Sequence, residues 1–427
     1  MIHFRQALAA AKEALIAKIG EGNPIERAVV IDDIFGKIRA LIWLNESAPN
    51  DFAGQFAALM KENSAGYWSG LWVANGANEP DLKVYEELWQ ASSEIAPSLR
   101  QSERVRTRGF WMSPPDDPAW TPNEDHPPVI AFYSFKGGVG RTTALASFAI
   151  QRARMGETIA VIDLDLDAPG VGTLLDSGLP DTEEQFGMVD YLIESAIHPK
   201  GDLSDYYHLC HSAGDLGQIY VFPAGRLDAD YLAMLARLDL EPPSDSIKHP
   251  LLCLLNRIRE EIRPSWILLD CRAGISEASG FALSGLANLT VLFGTTSTQS
   301  WLGLRLVIER MGAQRVKRGL PQADCFIVQA MTPENPDTAK SAQSTFLAEA
   351  ENTFQEAYYA EEPSDEAWDI RDMEDEDAPH QPSVLKYSQK LAFIRSVADV
   401  ADTLAGENAE YSKLASRIAS RFTKEPE

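Results

Sequence analysis

Cysteine is scarce in this 427-residue sequence: Cys210, Cys253, Cys271 and Cys325 are scattered, with no paired spacing. That excludes a disulfide framework and Cys-ligated metal knuckles, and predicts a reduced, cytoplasmic chain. No run of eighteen apolar residues occurs, so no membrane span is expected. The first residues are interrupted by His3, Arg5, Gln6 and Lys12 and show no signal-peptide pattern. Basic residues are few as well. Against 63 Asp and Glu stand 38 Lys and Arg, a net charge of −25. Holding a nucleic-acid backbone needs clustered cations, so direct nucleic-acid binding is not expected. What is present is length enough for more than one core and a hydrophobic content of 45%, as in folded globular chains.

The chain is organised around Val129-Ile-Ala-Phe-Tyr-Ser-Phe-Lys-Gly-Gly-Val-Gly-Arg-Thr-Thr143. The apolar run from Val129 to Ser134 predicts a buried strand, and a helical pattern starts at Thr142. Between them lies a glycine turn whose backbone N–H groups can point inward at an anion, beside the positive end of a helix. Gly137, Gly138, Val139, Gly140, Arg141, Thr142 and Thr143 are the candidate phosphate ligands, with the Thr142 hydroxyl available to Mg²⁺.

Two positions depart from the ordinary phosphate loop: Phe135 stands where Gly is usual, and Arg141 where Lys is usual. A lysine, Lys136, instead opens the loop. Lys136-Gly-Gly-Val-Gly-Arg-Thr-Thr143 resembles the deviant Walker A motif of ParA/MinD-type P-loop ATPases. The resemblance covers roughly residues 129–420. It implies a mostly parallel α/β sheet flanked by helices, ATP and Mg²⁺ as ligands, and a homodimer formed around nucleotide. It also implies that Lys136 reaches the partner subunit's nucleotide. Arg141 can bind phosphate through its planar fork, though it is bulkier than an ammonium.

Two further motifs follow in the order the resemblance requires. Asp163-Leu-Asp-Leu-Asp-Ala-Pro-Gly170 ends the next apolar strand, where sites form in open α/β sheets. By resemblance Asp165 orients the attacking water and Asp163 lies near Mg²⁺; the alternative is an Asp-rich loop capping its own turn. Trp266-Ile-Leu-Leu-Asp-Cys-Arg-Ala-Gly274 is an apolar strand ending in Asp, a Walker B pattern. Asp270 is then expected at Mg²⁺, and Gly274 resembles the glycine that senses the γ-phosphate. For the base, Gln329 and residues 384–388 occupy comparable places. Lys136, Arg141 and Asp165 are the candidate catalytic residues.

Residues 1–112 lie outside the resemblance and are expected to form a separate domain, with a helix over 4–19 and an apolar segment over 24–44. Most of the nine tryptophans fall before the loop, namely Trp43, Trp68, Trp72, Trp89, Trp111 and Trp120. They read as a small core or a docking surface for an unidentified protein partner. Arg100, Arg104, Arg106 and Arg108 form the local basic cluster. Residues 113–128, rich in Pro and acid, predict a wet linker. From residue 129 to 427, strands alternate with helices, as in a parallel sheet covered on both faces. Residues 349–377 are densely acidic and predict a mobile or weakly helical insertion. Near the end Tyr411, Leu414, Ile418 and Phe422 form an apolar stripe beside Lys413, Arg417, Arg421 and Lys424. Packing on its own sheet is expected of that stripe, and membrane attachment is not.

The expectation is a regulatory, Mg-dependent and slow ATPase that dimerises around nucleotide and signals to a protein, in a bacterial signalling or defence setting. A nucleotide-holding scaffold with negligible hydrolysis and a DNA-partition-type ATPase are the alternatives.

Overall fold

The computed structural model describes residues 2–20, 22–104, 109–175, 186–195, 197–211, 216–238, 240, 249–361, 368–392, 394, 397–405 and 410–422. The chain divides into two compact units, Met1–Thr107 and Arg108–Glu427.

The first unit is built on a five-stranded sheet in the order β3-β2-β1-β5-β4, comprising β1 Ile25–Asp32, β2 Ile38–Leu44, β3 Trp68–Val73, β4 Ser93–Ala96 and β5 Leu99–Glu103. The apolar segment 24–44 becomes the β1–β2 hairpin, closed where Asp33 Oδ1 accepts the Phe35 and Lys37 amides, both at 2.9 Å. Alternation then sorts the side chains. Ala28, Val30, Ala40 and Ile42 pack in one buried cluster with residues of the helices Phe4–Ile16 and Phe52–Ser64. Val29, Ile31, Leu41 and Trp43 pack in another, against Tyr85, Leu88 and Trp89 of the helix Glu79–Ala91. The tryptophans of this unit are taken up by core contacts and by arginine. Arg27 lies 4.2 Å from the Trp43 ring and 4.9 Å from Trp89, Arg39 lies over Trp72, and Arg100 over Trp89. Arg100 also donates to the Trp89 carbonyl at 2.7 Å, so it is not a free basic side chain. Arg106 and Arg108 lie outside the described residues.

The second unit holds an eight-stranded sheet in the order β13-β12-β11-β6-β10-β7-β9-β8. Its strands are β6 Val129–Ser134, β7 Thr158–Leu164, β8 His208–Leu209, β9 Gln218–Phe222, β10 Trp266–Cys271, β11 Leu289–Gly294, β12 Cys325–Thr332 and β13 Ser383–Lys386. All neighbours are parallel except β8 and β9. Every residue of β6, β10 and β11 is buried, which is why these strands read as unbroken apolar runs. One face is covered by the helices Pro250–Arg257, Glu277–Phe281, Thr298–Met311 and Pro336–Ala357. The other is covered by the helices Arg141–Arg154 and Glu410–Ser420. Leu414 and Ile418 of the terminal stripe are buried against this second face. Lys424 lies outside the described residues. No described helix is long and apolar enough to cross a membrane.

One expectation is narrowed here and another corrected. Of the two alternatives expected for the acidic tract, mobile or weakly helical, its described part is helical at the start and packed beyond it. Its first residues complete the helix Pro336–Ala357, and Tyr358 and Tyr359 are buried beyond it. Asp369 is buried and bonded to Arg371. The acids lie on the exposed side of elements whose apolar residues pack inward, so charge density masked helical periodicity. Residues 362–367 lie outside the described part. Residues 113–128 are not a wet linker, and the boundary falls near residue 107 rather than 112. Asp116 and Ala119 donate backbone bonds to Ser284 and Leu286 at 2.7 and 3.3 Å, and Trp120 Nε1 donates to Pro127 O at 2.7 Å. Proline forbids helix and strand, but not docking of an extended segment.

His249 caps the helix Pro250–Arg257 as a neutral ring, Nδ1 accepting from the Leu251 amide at 3.1 Å. Phe281 and Phe110 lie 4.0 and 5.3 Å from it, centroid to centroid. Burial pushes its pKa down from 6.5 to about 4. As pH falls, the unfolded chain takes up the proton first, so stability present above pH 6.5 is lost between 6.5 and 4. Urea unfolding at pH 7 and 4.5 should show the wild type losing up to about 3 kcal/mol more than His249→Asn across that window.

Candidate functional site

The site forms at the carboxyl edge of the second sheet, where β6 hands over to the glycine loop. Gly138 and Gly140 have φ of 73° and 83°, in the left-handed region that side chains avoid. Those two residues turn the chain into the helix Arg141–Arg154, whose first amides and dipole favour an anion. Phe135 has its own anchor. A Cβ on Gly303 would lie 2.0 Å from the Phe135 ring, so the ring rests directly on the backbone of the helix Thr298–Met311. The aromatic residue thereby pins the start of the loop to a rigid element.

Below the loop the charged residues converge. Arg141, only 8% exposed, donates from Nε to Asp270 Oδ1 at 2.8 Å and from Nη2 to Asp165 Oδ2 at 3.1 Å. Its Nη1 lies 3.4 Å from Ser134 Oγ. Thr142 Oγ1 donates to the other Asp270 oxygen at 2.7 Å. Burial pushes the Asp270 carboxyl up, opposed by Arg141 and by the Thr142 bond. Burial disfavours the Arg141 cation too, yet Asp270 and then Asp165 outweigh it and hold the guanidinium charged. Asp163 is fully buried. Its oxygens accept from the Asp165 and Gly170 amides at 3.0 and 3.2 Å, and burial followed by the nearby Asp270 charge raises its pKa well above the carboxylate range. Asp163 therefore ties down the acidic loop as well as standing beside Asp270. Asp167 points to Arg272, with which it forms an ion pair, and Arg272 Nε is also 4.0 Å from Asp165 Oδ1.

A cavity of about 370 Å³ opens over these groups. Gly138 to Thr143 and Ser134 line one end, and Met331, Leu385, Tyr387, Leu391 and Tyr411 form an apolar and aromatic wall at the other. Its shape suits a molecule with an anionic tail and a flat apolar head. Of the residues expected from sequence, Gly138 to Thr143 line the cavity, while Asp165 and Asp270 are joined to it through their bonds with Arg141 and Thr142 and Asp163 lies buried behind them. Lys136 is exposed and makes no ion pair among the described residues. Gly274 stands behind the loop, its amide donating to Ser134 O at 3.1 Å. Gln329 is buried at 1% exposure, and Met331, two residues on, lines the cavity in its place. The 384–388 stretch does reach the cavity through Leu385, Lys386, Tyr387 and Ser388. Sequence reading missed Arg272, Met331 and Tyr411. The first was signalled by its place two residues after Asp270, and Tyr411 was read only as part of the terminal stripe.

A glycine loop between a buried parallel strand and a helix, with a threonine and two strand-end aspartates beneath it, defines a P-loop nucleotide-binding domain. Residues 130–425 match the model of the CobQ/CobB/MinD/ParA nucleotide-binding domain, and the chain belongs to that family. No curated protein matches the chain. Among solved structures it is similar to the septum site-determining protein MinD of Pyrococcus horikoshii complexed with Mg-ADP, at 16% identity over 70% of this chain and 96% of that one (TM-score 0.41). It is similar to a putative plasmid partition protein of Borrelia burgdorferi bound to AMPPNP, at 14% identity over 70% and 100% (TM-score 0.43). It is also similar to pNOB8 ParA bound to nonspecific DNA, at 16% identity over 70% and 100% (TM-score 0.43).

Gly303→Ala should displace Phe135 and loosen the loop while leaving the fold intact. Overpacking of this kind is expected to weaken Mg·ATP binding about tenfold by calorimetry. Unchanged affinity would mean that the Phe135 anchor does not set the loop.

Proposed function

We propose that this protein is a Mg²⁺-dependent ATPase that pairs with a second copy around nucleotide and uses the paired state to signal to a protein partner. The observation that carries the reading is the convergence of Arg141, Thr142, Asp165 and Asp270 beneath a glycine loop, at one end of a cavity whose other end is apolar. The donor set fits the metal. Thr142 and Asp270 supply hard oxygens, and no closed cage of His, Cys, Asp and Glu exists among the described residues. Mg²⁺ typically takes one or two carboxylates and completes its shell with phosphate and water. When bound there, it would neutralise phosphate oxygens.

Within this reading the chain's residues divide the work. Loop amides 137–143 and the helix start bind the phosphates. Arg141 turns from the two aspartates toward phosphate oxygen and stabilises the charge that develops there. Its departure frees Asp165 to orient the attacking water and Asp270 to face the metal. Lys136, exposed at the rim, contacts the nucleotide of the second copy. Tyr387, Met331 and Tyr411 pack against the base, which supports ATP or another purine nucleotide through stacking. The first unit, whose tryptophans are buried or paired with arginine, is the candidate reader of the paired state. DNA binding draws no support from Arg100, which Trp89 occupies.

Mass in solution with and without Mg·ATP, followed alongside phosphate release, tests the reading. The expected result is a doubled mass with ATP and slow turnover. Lys136→Ala should abolish the doubling and lower turnover about a hundredfold, the scale of losing one charge stabiliser at the transition state. A monomer that binds ATP without turnover would replace this reading with a nucleotide-holding scaffold.

A further inference from the structure

The segment just after the boundary, residues 109–122, touches the loop that carries Gly274. Trp111 Nε1 donates to the Ser276 carbonyl at 2.6 Å, and the Phe110 amide donates to Glu277 Oε1 at 3.1 Å. The Phe110 ring stacks on Phe281 at 4.4 Å. Trp111 lies so close over Gly280 that a Cβ there would meet its Nε1 at 2.6 Å. Ser276, Glu277, Gly280 and Phe281 follow Gly274 directly in the chain. From the other side Tyr133 OH donates to the Gly274 carbonyl at 3.1 Å, and its ring centroid is 6.4 Å from that of Trp111. Tyr133 sits in β6, two residues before the glycine loop's Phe135.

The same segment is fastened along its length by two buried arginines. Arg310 donates to the carbonyls of Phe110, Trp111 and Ser113, and to Ser284 Oγ at 3.0 Å. Arg315 donates to Asp116 O and to Asp117 Oδ1, the latter at 2.9 Å. Burial lowers the Arg310 pKa to about 10, and no carboxylate among the described residues forms an ion pair with it. A buried cation held by carbonyls is costly to expose partly, which favours one well-defined docked position for the segment.

We propose that Trp111 is a positioning residue for loop 272–276, and that nucleotide state passes through it to the chain leading into the first unit. This rests on the ATPase reading above. The loop also holds Arg272 against Asp167, and Ser279 Oγ donates to the Arg272 carbonyl at 2.9 Å. A displacement of Gly274 toward a phosphate therefore pulls on Ser276 O and on Arg272 together. The Trp111 bond then either breaks or carries the connector with it. In the reverse direction, a partner that shifts the connector moves Arg272 relative to Asp165.

The test is hydrogen exchange on the full chain, with and without Mg²⁺ and a non-hydrolysable ATP analogue, paired with kinetics of Trp111→Phe. That substitution keeps an aromatic side chain but removes the indole N–H donor together with the five-membered ring that lies over Gly280. Expected are nucleotide-dependent changes in loop 136–143, in 272–281 and in 109–120, the last lost in Trp111→Phe. Turnover of that variant should change about fivefold, the worth of one hydrogen bond, with KM unchanged and the thermal midpoint lowered by no more than about 4 °C. Gly280→Ala, which crowds Trp111 from the opposite side, should shift turnover likewise. The proposal is overturned if 272–281 responds to nucleotide while 109–120 does not, or if Trp111→Phe leaves turnover at the wild-type value. Silence of 136–143 itself would instead remove the ATPase reading, and this proposal with it.

Discussion

The buried bonds from Arg141 to Asp270 and Asp165 are the constraint on which the site depends. They gather the ends of three strands and the start of a helix around one guanidinium. Two carboxylates this close and this buried would repel without a cation between them. In P-loop proteins the residue at the position of Arg141 faces phosphate; here it neutralises the aspartates that would serve the metal and the water. In the proposed function, nucleotide binding is an exchange of partners: Arg141 would trade carboxylate for phosphate, and the carboxylates would be released for their own roles. The planar fork makes that exchange specific, since one guanidinium can span both aspartates where an ammonium offers a single point of charge.

That constraint also explains why the remaining surroundings are so tightly built. Asp163 spends its oxygens on the amides of its own loop, which fixes Asp165 in reach of Arg141. Arg272 then holds Asp167 away from the cluster. Phe135 clamps the loop's start on Gly303, and Tyr133 braces Gly274 from behind. The braces come from the ends of β6, β7 and β10, which are neighbours in the sheet, so displacement of one is felt by the others. The 109–122 segment joins this set through Trp111, which bonds the loop 272–276 at the Ser276 carbonyl.

Much of this was legible in the sequence. The loop, the strand ending in Asp270 and the Asp163–Asp165 run are local patterns, and locality is what a sequence reader sees. The parallel sheet followed from apolar runs alternating with helical spacing. Three things were not legible. The docking of 113–128 depends on Arg310 and Arg315, nearly two hundred residues away. The continuous helix through 349–357 reads from sequence only as mobile or weakly helical, because Glu349, Glu351 and Glu356 are interspersed with the buried Ala350, Phe354 and Ala357. The apolar part of the cavity lining draws Met331, Tyr387 and Tyr411 from separate stretches of the chain, whereas the expected Gln329 lies on the same strand as Met331, buried and two residues short of the cavity.

The most direct measurement is a crystal structure of the protein with Mg²⁺ and a non-hydrolysable ATP analogue, read at one place, the Arg141 guanidinium. Arg141 is predicted to leave Asp165 and lie against phosphate oxygen, with Asp270 turned to the metal and Asp165 free. If Arg141 instead keeps both carboxylates while nucleotide fills the cavity, the exchange of partners is wrong and Arg141 is a permanent structural cation.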